Sequence, residues 1–70
     1  MITLAEQLTA ARRELAMRQR VYPNWVAVGK MKQEKADHEL ACMAAIVETI
    51  DKVKMLNDAS DELAREFGEG

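Results

Sequence analysis

From about Lys32 onward, apolar residues keep a helical spacing for longer than so small a chain can cover from within. Ala36, Leu40, Met43, Val47 and Ile50 recur at intervals of 4, 3, 4 and 3, and Met43, Ile46, Ile50, Val53 and Leu56 form a second row. Such spacing marks an amphipathic helix, here with a face wide enough for more than one partner helix. Asn57-Asp58-Ala59-Ser60 is the one candidate interruption. Either Ser60 caps a separate short helix carrying Leu63 and Phe67, or these two prolong the same stripe. Unbroken to residue 67, the helix would be about 54 Å long at ~1.5 Å per residue.

The N-terminal stretch predicts a helix of about half that length. Thr3-Leu4-Ala5-Glu6 is a capping box, in which the Thr3 hydroxyl accepts from the Glu6 N–H and the Glu6 carboxylate from the Thr3 N–H. Gln7 occupies the position where an apolar residue would staple Ile2, so the box stands without a staple. Leu4, Leu8, Ala11 and Leu15 then form one stripe, with Arg18 or Tyr22 next in register, and Glu14 is spaced to pair with Arg18. Proline disfavours the helical region for the residue before it, so the helix should stop or kink at Pro23, with an end expected near residues 20–21. A short helical turn over about 23–28 follows, and Gly29 suits a left-handed cap. The expectation is an all-α antiparallel hairpin with helices over about 4–21 and 32–57 or longer. It forms a single domain over 1–67 with a frayed end at 68–70.

Unequal arms leave the long helix uncovered, and composition agrees. Of the 34 apolar residues among 70, eleven are alanine, leaving 23 bulky ones. A chain this short buries only about 60% of its unfolded surface. A homodimer is therefore expected, with Leu40, Met43, Val47, Ile50, Val53 and Leu56 as interface candidates. Few turn residues and three aromatics disfavour a β-sandwich or barrel, and the apolar content excludes a disordered tail.

Cys42 is a single cysteine, so no intramolecular disulfide can form, and a reducing, cytoplasmic setting is expected. Met1–Glu6 carries an early acid and no apolar core of signal-peptide length, and no run approaches the ~20 apolar residues of a membrane span. The net charge of −2 hides an asymmetry, because residues 1–35 balance at +4 and residues 36–70 at −6. Two oppositely charged helices packing together explain the split more simply than a phosphate track, since seven cations over 24 residues are sparse.

The corner Arg13-Glu14-Leu15-Ala16-Met17-Arg18-Gln19-Arg20-Val21-Tyr22-Pro23-Asn24-Trp25-Val26-Ala27-Val28-Gly29-Lys30-Met31, with the following Ala36–Ile46, resembles a set of short proteins of proteobacterial phages and prophages. The likeness covers roughly residues 12–50, and its specific elements are Arg-Val-Tyr-Pro-x-Trp-Val and the glycine-basic-Met corner. Lys32 departs from the Ser or Thr cap expected there. The resemblance implies a phage context, where small early proteins act by binding host or phage machinery. It carries over no activity and no catalytic residues.

Tyr22 and Trp25 have two readings: a plug for the open end of the hairpin, or a hot spot for a partner together with Arg18, Arg20 and Lys30. Arg12, Arg13, Lys32 and Lys35 complete the cations, which form no continuous stripe; a nucleic-acid role would be directed at the backbone. His38 and Cys42 are four apart with Glu34 one turn earlier, too few ligands for a zinc site in one chain. Met17, Met31, Met43 and Met55 suit core filling more than a promiscuous surface. No nucleophile–base arrangement and no phosphate loop is present, so neither catalysis nor a metal or cofactor site is expected. The expected function is protein–protein binding by a phage or prophage accessory protein that modulates or inhibits a host factor. The alternative is a nucleic-acid-associated protein using the basic half.

Overall fold

The computed structural model describes residues 1–67, with side chains to residue 65. The frayed end expected at 68–70 lies outside the described residues, as does the side chain of Phe67. Two α-helices, α1 (Leu4–Ala27) and α2 (Gln33–Phe67), pack against each other as a hairpin. The capping box forms as its spacing requires. Glu6 N–H donates to Thr3 Oγ1 at 3.0 Å, and Thr3 N–H donates to Glu6 Oε2 at 3.1 Å.

Pro23 does not end α1; the separate turn expected over 23–28 is the last stretch of one 24-residue helix. Proline removes one i→i−4 bond, here the one the Gln19 carbonyl would accept, at a cost of about 3 kcal/mol mid-helix. The turn beyond it is held from both sides. Tyr22 and Val26 are half-buried, and a Schellman motif closes the end. Lys30 N–H donates to Trp25 O at 2.8 Å and Gly29 N–H to Val26 O at 3.1 Å. Gly29 takes the left-handed conformation this motif needs, with φ +78.

Lys32 caps α2 through its carbonyl, which accepts from Ala36 N–H at 3.0 Å, so the helix begins without a Ser or Thr cap. Gln33 Nε2 donates to Asp37 Oδ1 at 2.8 Å along its first turn. At the Asn57–Ser60 segment α2 runs on unbroken, so the continuous-helix alternative is the one observed. Its 35 residues span about 52 Å, against about 36 Å for the 24 of α1.

Two ion pairs cross between the antiparallel helices: Arg18 Nη1 to Glu39 Oε2 at 3.8 Å near the corner, and Arg12 Nη2 to Asp51 Oδ1 at 3.5 Å farther along. The helices enclose a thin core of Leu8, Ala11, Ala36 and Met43, the last two 2% and 7% exposed. Lys54 is the last half-buried residue of α2, and every side chain described from Met55 to Arg65 is exposed. No helix among the described residues is long and apolar enough to cross a membrane.

Candidate binding surfaces

The corner and the back of α2 present different chemistry. At the corner, the Tyr22 and Trp25 rings stack with centroids 5.6 Å apart and planes inclined at 27°. The spacing of three along a helix brings such rings together, and the turn after Pro23 holds them there. Tyr22 is half-buried, but Trp25 is 40% exposed and Val28 beside the cap 60%. Trp25 therefore does not plug the hairpin; it stands on the surface with only part of its area covered.

The cations around this corner divide into two kinds. Arg18 is half-buried, donating from Nε to Glu14 Oε1 at 2.9 Å and reaching Glu39 on α2. The hydrogen bond to Glu14 raises its pKa above the ordinary arginine value. Arg18 is thus occupied within the hairpin, as the spacing to Glu14 predicts, and is a poor candidate for contact with a partner. Arg20, Lys30, Lys32 and Lys35 are exposed, as is Arg13. None of them pairs with an acid among the described residues.

The interface candidates on α2 also divide. Met43 is buried inside the hairpin, and Leu40, Val47 and Ile50 are half-buried. A single chain already uses these, so Met43 is not a surface residue at all. Val53 is 46% exposed and Leu56 72%. Ile46 and Leu63 are exposed on α2 as well, and neither was among the candidates read from the sequence. Their signal was present in the spacing from Val53 and Leu56, but reading it required knowing which side α1 occupies.

His38 and Cys42 do meet, with Sγ and Nε2 3.5 Å apart on the exposed side of α2. Among the described residues, no three His, Cys, Asp or Glu side chains gather where a metal ion would be held. Two concavities among the described residues each lie along one helix: Met55, Asp58, Ala59, Asp61, Glu62 and Arg65 on α2, and Ala5, Glu6, Thr9, Ala10 and Arg13 on α1. Neither lies between the helices, where convergent side chains would be expected to build a reaction site. Comparison with protein-family models, with curated proteins and with solved structures finds no match to this chain.

Proposed function

We propose that this chain is a phage or prophage accessory protein that works without catalysis, by binding a host or phage protein at its helical corner in the bacterial cytoplasm. The observation that carries this reading is the exposed Trp25, stacked on Tyr22, with exposed Val28 at the end of the same helix and the exposed cations Arg20 and Lys30 within five residues of it in the chain. Aromatic rings held rigid at low entropic cost dominate protein interfaces, and basic neighbours favour an apolar patch rimmed by acids on the partner. Stacking on Tyr22 fixes the indole before contact, so less freedom is lost on binding.

Affinity capture from a bacterial host lysate tests this, using the wild-type chain beside Trp25→Ala and Arg20→Glu/Lys30→Glu. One specific protein retained by the wild type and lost by both variants, with helical circular dichroism unchanged, is the expected result. Equal capture by all three removes the corner from function. Duplex DNA binding that falls steeply with salt and disappears in Arg20→Glu/Lys30→Glu would replace the protein partner with a nucleic acid.

A further inference from the structure

Packing α1 on α2 separates the wide apolar face of the long helix into two seams. The first, centred on Ala36, Leu40, Met43, Val47, Ile50 and Lys54, faces α1 and holds every buried or half-buried apolar residue of α2. The second is Cys42, Ile46, Thr49, Val53, Leu56, Ser60 and Leu63, all exposed. It lies roughly 130° around the helix from the first, at about 100° per residue. Its intervals are 4, 3, 4, 3, 4 and 3 without a fault. That is the heptad spacing of a helix seam built to pack on another helix. Of its polar members, Thr49 suits a dry contact, because its hydroxyl donates to Ala45 O at 3.0 Å and is satisfied within α2.

We propose that a second copy of this chain occupies the second seam, antiparallel, with Val53 of each copy beside Leu56 of the other. Two observations select that occupant. The first is surface area. The chain exposes 5635 Å², whereas a compact protein of 7.9 kDa exposes roughly 4,400 Å². The excess of about 1,200 Å² is comparable to the ~800 Å² each partner covers in a standard stable complex.

The second is self-complementarity. About a point between Val53 and Leu56, the seam reads the same in both directions by chemical type: Ile46 meets Leu63, and Thr49 meets Ser60. An isologous contact needs this property of a single patch.

This surface is distinct from the Trp25 corner, so the proposal stands or falls independently of the captured target.

Sedimentation equilibrium of the full chain at micromolar concentration should give twice the chain mass. Val53→Glu/Leu56→Glu should return it to a monomer with its helical spectrum kept, because both side chains are exposed in the single hairpin. Should that variant unfold, Ser60→Leu decides, with self-association expected to tighten at least tenfold. Orientation is read by oxidising an equimolar mixture of Cys42→Ser/Thr49→Cys and Cys42→Ser/Ser60→Cys chains. A covalent dimer in the mixture, and in neither chain alone, is expected. A wild type that stays monomeric, with Ser60→Leu no more associated, overturns the proposal. So do covalent dimers from either variant by itself, which would mark a parallel pair.

Discussion

Along α2, the stretch from Ala36 to Lys54 and the stretch from Met55 to Arg65 carry apolar residues at the same helical spacing. Yet the first holds two of the four core residues, Ala36 and Met43, and the second holds no buried side chain. The difference comes from α1, which packs on the first stretch, with ion pairs across to Glu39 and Asp51, and ends short of the second. Amphipathic spacing states what a helix could bury, and the length of its neighbour decides what it does bury. The distal stretch remains helical through propagation from a nucleated helix and local pairs such as Lys54 Nζ to Asp58 Oδ2 at 2.7 Å.

The largest contrast between these stretches should appear on introducing a charge. Met43→Asp places a carboxylate in the thin core and should cost about 3 kcal/mol or more, enough to abolish the cooperative thermal transition. Met55→Asp, on the exposed distal stretch, should stay within about 0.5 kcal/mol of wild type. Similar melting curves for the two would erase the distinction between covered and uncovered helix. A middle-sized effect should come from the corner that directs α1 back along α2. At Gly29 an added Cβ meets no atom within 4 Å. Gly29→Ala should therefore cost only the strain of a positive φ, about 1 kcal/mol, seen as a lower urea midpoint. The smallest effect belongs to the distal stretch itself. Asp58→Asn should weaken the pair with Lys54 by about 0.3–0.5 kcal/mol, read as a slight loss of helical ellipticity in the monomeric Val53→Glu/Leu56→Glu chain.

What could be read from the residues alone was whatever depends on neighbours within one turn. The Thr3–Glu6 box, the Glu14–Arg18 pair and the left-handed Gly29 each follow from spacing of four or less, and each is present. Pro23 misled because its penalty is local while its compensation is not. The half-burial of Val26 and the bonds from Gly29 and Lys30 lie on the far side of it. The surfaces misled for a related reason. Met43 and Val53 belong to one row by period, and only the line of α1 tells the buried residue from the exposed one. Trp25 is the clearest case, since ring size and scarcity of aromatics argue for burial, whereas its place one turn from the helix end leaves it exposed.

The reversal between Ala27 and Gln33 is only five residues long, and this brevity governs how the chain finds its structure. With the corner formed, closing each further contact between the arms extends an existing loop by a few residues, and the entropy of closure grows slowly with loop length. The arms can therefore zip outward from Gly29 towards the Arg12–Asp51 pair, without waiting for distant segments to meet by chance. Helical pairs of such local topology fold in microseconds to milliseconds.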